Sequence, residues 1–464
     1  MKGLKNILLA GGLAQMGIMS YAANELPNIV FVLADDMGIG DIGCYFGQKK
    51  IHTPNIDEWA SHSMQFMQHY SGSTVSAPSR CCLLTGKHTG HSYIRGNQSV
   101  KTDEGTFDLP LADNEVTVAE ILKSKGYNTM CVGKWGLGGP HTPGSPLNQG
   151  FDYFFGYLSQ GAAHNYYPDH LYENEEKYPL DGKTYSHWLI VEKGLDFLNK
   201  QDSKKPFFAY FAITPPHADL DYPDISEYEN DFEETPYAPE GKGGFKAQEK
   251  PKATYAAMVT EIDKNVGKII DALKKKGLWD NTIMIFSSDN GVHHVGGHDP
   301  DFFNSNGSFR GYKRDLYEGG IRTPFIVSWP KVIKGHSEVQ HVSSFWDFMP
   351  TVCDIVNATV PETSDGISYL PTLTGNDKQQ KKHDYLYYEF YEKGGKKAVI
   401  KDGWKLVCLN VSNPAKYKEE LYYLVDDIGE TNNLIKSNPQ KADELRTIMK
   451  KAHTNSEHFK WKKK

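Results

Sequence analysis

Apolar residues fall along this chain in two recurring patterns. In the first they run unbroken. Asn28-Ile-Val-Phe-Val-Leu-Ala34 places six strand-forming or small apolar residues behind one polar position, as in a strand buried on both faces of a parallel sheet. Similar runs recur at residues 127–132, 207–213, 282–286 and 323–328. In the second pattern the apolar positions return every three or four residues. Tyr255, Met258, Val259, Ile262, Val266, Ile269, Ile270 and Leu273 predict an amphipathic helix, with Gly277 placed to end it. Strands alternating with helices predict an α/β fold, a mostly parallel central sheet flanked by helices.

A polar stretch at 375–384 breaks this rhythm. Beyond it, residues 385–391, 397–400, 404–409 and 421–425 read as short strands, and 440–451 as a helix. The expected division is a leader over 1–23, a main catalytic domain over 24–375 and a smaller C-terminal α+β subdomain over 376–464. The leader is read from Lys2 and Lys5, the apolar stretch 7–19 and the small residues Ala22 and Ala23, which together describe a secretory signal peptide. Export to the periplasm or beyond is therefore expected. No later segment has the uninterrupted apolar length of a membrane helix, so no membrane partner is expected.

Composition narrows the class. A chain of 464 residues with 39% hydrophobic and 12% aromatic residues can bury a large core, which excludes a disordered protein. A net charge of -7 leaves no basic footprint for nucleic acid. Six cysteines without regular spacing form neither a disulfide lattice nor a zinc site, and are expected to be buried small hydrophobes.

Chemistry in such folds gathers at the carboxyl ends of the strands. Asp35, Lys134, His217 and Asp289 each fall at or just past the end of an apolar run. Asp35-Asp36 and Asp289-Asn290 are two pairs of hard-oxygen side chains in matching positions, suited to Ca²⁺ or Mg²⁺ and not to zinc. Either pair alone reads as a turn; together they favour a metal. Ser76-Ala-Pro78-Ser79-Arg80 adds a hydroxyl just before an expected helix start, where free N–H groups and the helix dipole favour an anion. Arg80 supplies a permanent charge with fork geometry for an oxyanion.

These residues carry a resemblance. Ser76-x-Pro78-Ser79-Arg80 with Leu84-Thr85-Gly86 is similar to the signature of the type I sulfatases, members of the alkaline phosphatase superfamily. It extends over nearly the whole chain, through Gly133-Lys134-Trp135, Thr214-Pro-Pro-His217, Ser288-Asp-Asn-Gly291, Tyr317-Glu-Gly-Gly-Ile-Arg322, Asp347-Phe-Met-Pro-Thr351 and Asp365-Gly366. The resemblance implies oxidation of Ser76 to formylglycine, whose hydrated aldehyde is the nucleophile. It implies that Asp35, Asp36, Asp289, Asn290 and the modified residue 76 hold Ca²⁺, with Mg²⁺ the lesser candidate. Arg80, Lys134 and Lys313 would neutralise the sulfuryl oxygens, and His217, partnered by Lys313, would protonate the leaving oxygen. The implied partners are a sulfated glycan, as substrate, and a maturating enzyme of the serine type. A galactose-type or amino sugar attacked from a chain end is the expected substrate.

Two positions depart from that pattern. Many relatives have Cys where this chain has Ser76, which resembles the serine-type bacterial members. The usual Gly-Lys-Trp-His-Leu-Gly reads Gly-Lys-Trp-Gly136-Leu-Gly here, and His141 or His164 is the expected replacement for the histidine. The loops 161–172 and 293–310 are expected to build the pocket wall, and His293, His294 and His298 read as pocket rim or solvated loop. Two alternatives stay open: a phosphate-ester hydrolase of the same superfamily, and a sulfated-glycan-binding protein whose Ser76 is never converted.

Overall fold

A computed structural model describes residues 26–239 and 244–461. The expected leader, 1–23, lies outside the described residues. Among those described, no helix is long and apolar enough to cross a membrane.

The central sheet is built from β1 (Asn28–Ala34), β2 (Met64–Phe66), β3 (Asn128–Lys134), β4 (Tyr153–Tyr157), β5 (His170–Glu173), β6 (Glu176–Pro179), β7 (Phe207–Ala212), β8 (Thr282–Ser288), β9 (Phe325–Ser328) and β10 (Ser337–Val339). Their spatial order is β10-β2-β9-β8-β1-β7-β3-β4-β5-β6. Five neighbours, β8, β1, β7, β3 and β4, run parallel. In β1, Ile29, Phe31 and Leu33 face one apolar layer while Val30, Val32 and Ala34 face the other. That double burial is why the run carries no alternation. Each large side chain so buried stabilises the sheet by roughly 1.5–3 kcal/mol.

The edges differ from the parallel expectation. β9 pairs antiparallel with β8, and β5 and β6 turn antiparallel beyond β4. Burial on two faces makes an apolar run whichever way the strand points, so the pattern cannot report direction.

The predicted helix forms over Pro251–Lys275, with proline in its first turn. Gly277, at φ +65°, supplies the left-handed residue just past the C-terminal end. The C-terminal strands β11 (Leu386–Phe390), β12 (Lys396–Lys401), β13 (Trp404–Leu409) and β14 (Lys418–Tyr423) form an antiparallel sheet in that order. Ala442, Leu445 and Met449 of the Pro439–Lys451 helix cover one face. The other face, through Tyr388, Ala398 and Val407, packs against Tyr70, Val75 and, from the helix Ser76–Thr85, Cys82. The six cysteines are free, and all but the half-buried Cys44 are buried.

Candidate active site

The carboxyl ends of β1, β3, β7 and β8 meet the start of one helix, Ser76–Thr85. Ser76 is the first helical residue, not the residue before it, and Pro78 lies inside the first turn, where its missing N–H leaves no bond unmade. Asn97 accepts from the Ala77 N–H at 3.2 Å, and Gly86 in the left-handed region closes the far end. Ser79 Oγ donates to the Asp289 carbonyl at 2.5 Å and accepts from the Gly72 N–H at 3.1 Å, tying this helix to the end of β8.

The nucleophile position is buried and held on two sides. Ser76 Oγ donates to Asp35 Oδ1 at 3.1 Å and lies 3.3 Å from Lys134 Nζ. Lys134 Nζ also reaches Asp35 Oδ2 at 2.6 Å. The Arg80 guanidinium donates through Nε and Nη2 to Asp289 Oδ2 at 3.1 and 2.9 Å, and through Nη1 to the Lys134 carbonyl at 2.9 Å. Asp36 is in the left-handed region at φ +63°, a conformation that a non-glycine residue keeps only where its surroundings enforce it. Here the Asp36 N–H donates to Asp289 Oδ1 at 3.1 Å and Asn290 Nδ2 donates to Asp36 Oδ1 at 2.7 Å.

Lys313 Nζ bridges Asp36 Oδ2 at 2.5 Å and His217 Nε2 at 3.3 Å. His217 Nδ1 faces the Ala218 carbonyl, so Nδ1 carries the ring proton and Nε2 is the acceptor toward Lys313. Burial holds the His217 imidazole well below its usual pKa, and the Lys313 charge works in the same direction despite Asp36. Burial alone would raise the Asp36 carboxyl, but Lys313 and His217 override it and hold the group well below the usual range. Asp289 goes the other way. Burial and the neighbouring Asp35 charge push it up to about 6, in spite of Arg80.

The motif around Glu318 sets this loop. Gly291 donates its N–H to the Gly320 carbonyl at 3.1 Å, and a Cβ at Gly291 would collide with the Gly319 carbonyl. The Lys313 N–H donates to the Val292 carbonyl at 2.8 Å and that of Arg314 to the Thr74 carbonyl at 3.1 Å. Both bonds bring Lys313 over the strand ends.

The donor set fits a hard divalent cation. Asp35, Asp36 and Asp289 bring carboxylates together, and Asn290 Oδ1 is buried with no hydrogen-bond partner among the described residues. An unpaired buried carbonyl oxygen beside carboxylates is the arrangement that Ca²⁺ or Mg²⁺ satisfies.

Other expected site residues separate into near and far. His164 lies against His217 with ring centroids 4.5 Å apart and the rings tilted by 33°, and burial with the charges of Lys134 and Lys313 lowers its pKa to about 4. His141 is at the surface, paired with Glu175 at 3.2 Å. His293 is interior rather than rim, with Nε2 3.1 Å from the Pro216 carbonyl. His298 is also interior, stacked on Tyr255 at 3.5 Å, and only His294 is exposed. Tyr166 is buried and donates to the Thr214 and His217 carbonyls at 3.1 and 2.9 Å, bracing the His217 turn.

A buried hydroxyl at a helix start, hard-oxygen ligands for a cation, three fixed positive groups and a histidine define a hydrolase for a tetrahedral oxyanion ester. Residues 27–358 match the sulfatase family, and residues 307–458 match the C-terminal model of N-sulphoglucosamine sulphohydrolase. The chain belongs to the sulfatase family and is a sulfuric ester hydrolase. It is 32% identical to an N-acetylgalactosamine-6-sulfatase of Rattus norvegicus, across 79% of this chain and 69% of the relative. It is 29% identical to an N-acetylgalactosamine-6-O-sulfatase of Bacteroides thetaiotaomicron, across 93% and 94%. The crystal structure of Ps i-CgsB in complex with k-i-k-neocarrahexaose superposes with a TM-score of 0.77 at 26% identity, covering 95% of both chains.

Proposed function

We propose that this chain is an exported carbohydrate sulfatase that removes a sulfate ester from a galactose-type amino sugar at a chain end, with residue 76 as nucleophile. The observation that carries this reading is the seat of Ser76, held between Asp35 and Lys134 at the positive end of a helix. The substrate class is supported by the two N-acetylgalactosamine-6-sulfatases above, one of which matches over nearly its whole length.

Maturation of Ser76 to formylglycine by a serine-type maturating enzyme would supply a hydrated aldehyde whose hydroxyl attacks sulfur. Ca²⁺, held by Asp35, Asp36, Asp289, Asn290 and residue 76, would lower the pKa of that hydroxyl and polarise the sulfate oxygens. The remaining steps belong to the chain's own side chains. Lys134, 3.3 Å from Ser76 Oγ, neutralises the sulfuryl group as negative charge shifts toward the leaving oxygen. Arg80 fixes Asp289 and keeps the pocket positive at its floor. His217 Nε2 and Lys313 Nζ lie side by side, 3.3 Å apart, so Nε2 takes a proton from Lys313 and gives it to the departing alkoxide, leaving Lys313 neutral.

The test is release of free sulfate from a panel of singly sulfated monosaccharides, using protein made with and without a serine-type maturating enzyme, in calcium. Release from a 6-O-sulfated galactose-type sugar that requires both the maturating enzyme and Ser76 supports the reading. Release from Ser76→Ala at the same rate would falsify it. Faster hydrolysis of the matched phosphate ester would favour the phosphohydrolase alternative.

A further inference from the structure

Gln160 follows β4 and is 8% exposed. Its backbone N–H donates to Asp108 Oδ2 at 2.7 Å, which fixes the segment. Its side-chain Nε2 is buried and has no acceptor among the described residues. A buried amide with two unused N–H donors is a cost that folding leaves unexplained, and such groups collect where a ligand completes them.

The position of that amide is informative. Gly136 is in the left-handed region at φ +77° and donates its N–H to the Leu158 carbonyl at 3.2 Å. A Cβ on Gly136 would collide with Gln160 Nε2, so the carboxamide fills the space into which a side chain at 136 would project. Two residues earlier in the same strand end, Lys134 extends Nζ to within 3.3 Å of Ser76 Oγ. Neither His141, which is at the surface, nor His164, which lies against His217, occupies that space.

We propose that the Gln160 carboxamide is a hydrogen-bond donor for the tetrahedral oxyanion held between Lys134 and Ser76, in place of a side chain from position 136. The inference rests on the assignment of Ser76 and Lys134 to the sulfate site. An amide neither gains nor loses a proton near neutral pH, so Gln160 binds and orients the sulfuryl group and takes no part in acid–base transfer.

The test is calorimetric binding of inorganic sulfate to the full chain in calcium, read again as competitive inhibition of ester hydrolysis. Gln160→Ala should weaken sulfate about 10- to 100-fold, the range for a lost hydrogen bond to a charged group. Its thermal midpoint should be equal to or above that of the parent, because an unsatisfied donor has been removed. Gln160→Glu should weaken sulfate further at pH 8 and recover as the pH falls through the titration of the new carboxyl, whose protonated form can donate. A space-filling glutamine would show no such recovery. Unchanged sulfate affinity in both variants, with Lys134→Ala weakened, overturns the role of Gln160 alone. Unchanged affinity in Lys134→Ala overturns the assignment of the sulfate site itself.

Discussion

Lys405 of β13 is completely buried, with Nζ 2.9 Å from Glu318 Oε1 and 2.9 Å from Glu430 Oε1. Glu318 is also held by Arg322, through Nη2 at 2.8 Å and Nε at 2.9 Å, and by the Tyr70 hydroxyl at 2.9 Å. Among the described residues Glu430 has no second cation, and its Oε2 accepts the Glu318 N–H at 2.7 Å. The two carboxylates therefore respond in opposite directions. Burial would raise Glu318, but Lys405 and Arg322 bring it down to about 2. Burial and the Glu318 charge raise Glu430 to about 7, with Lys405 opposing. Lys405→Met keeps the apolar stem and removes the charge, leaving two buried carboxylates with Arg322 alone. Breaking a buried ion pair from one side costs about 3–5 kcal/mol, and that loss is expected at pH 8. Glu430 titrates above its unfolded value, so the stability from its protonation is complete below about pH 4.5 and lost as pH rises through the folded value. Without Lys405 that value rises further. The variant's stability should then fall with increasing pH by up to about 1.4 kcal/mol per unit between pH 6 and pH 8. Urea unfolding at both values, followed by tryptophan fluorescence and circular dichroism, measures it. A loss below about 1 kcal/mol at pH 8, without steepening toward high pH, would refute the argument.

Three further outcomes follow from the site and its surroundings. Asn290→Ala removes the unpaired oxygen and should weaken Ca²⁺ at least about tenfold by calorimetry, with the thermal shift caused by calcium reduced; undiminished affinity would remove Asn290 from the ligand set. His217→Gln should slow release from sugar sulfates by about 10²- to 10⁴-fold but affect aryl sulfates with acidic phenols far less, and equal losses would exclude it as general acid. Burial would lower His383, but Asp347, 2.8 and 3.0 Å from its Nε2, raises it, so its stabilisation is full below pH 6.5 and fades as pH rises through the raised value. His383→Gln should thus cost on the order of 1 kcal/mol more at pH 5.5 than at pH 8.5 in urea unfolding, and a pH-independent cost would count against the pair.

How much was legible in the chain follows from what each signal encodes. The runs at 28–34, 207–213 and 282–286 announced β1, β7 and β8 because both faces of those strands are buried. Met64–Phe66 and Ser337–Val339 were too short and too polar to stand out, and they pair only at the edge of the sheet. The acidic pairs could be assigned to strand ends, since an abrupt change from apolar to charged residues marks where a parallel strand leaves the core. The histidines after Asp289 could not be assigned. His293 and His298 are drawn inward by Tyr255 of the long helix, a contact between distant segments that no local pattern records. Gln160 gave less signal still. Its clue is an absence, the missing side chain at Gly136, and only the folded chain shows what fills the space.

The charges of the site point to a coupling between its two ligands. Asp35, Asp36 and Asp289 face Arg80, Lys134 and Lys313, and each cation is engaged with a carboxylate. Without metal the set of three carboxylates and three cations is close to neutral, and burial, with the neighbouring Asp35 charge, raises Asp289. A divalent cation among the oxygens would make the set positive and free Lys134 and Lys313 for an arriving anion. Calcium should therefore tighten sulfate, and sulfate should tighten calcium by the same factor, since coupling between two binding equilibria is reciprocal. A factor of about 5–150 is the usual range. Titrating sulfate into the protein at low and saturating calcium, and then calcium at low and saturating sulfate, measures the factor twice. Agreement between the two, above about fivefold, is the expected result. Sulfate affinity that ignores calcium would mean that the oxygen cluster and the anion pocket act separately, and that the three cations alone hold the sulfuryl group.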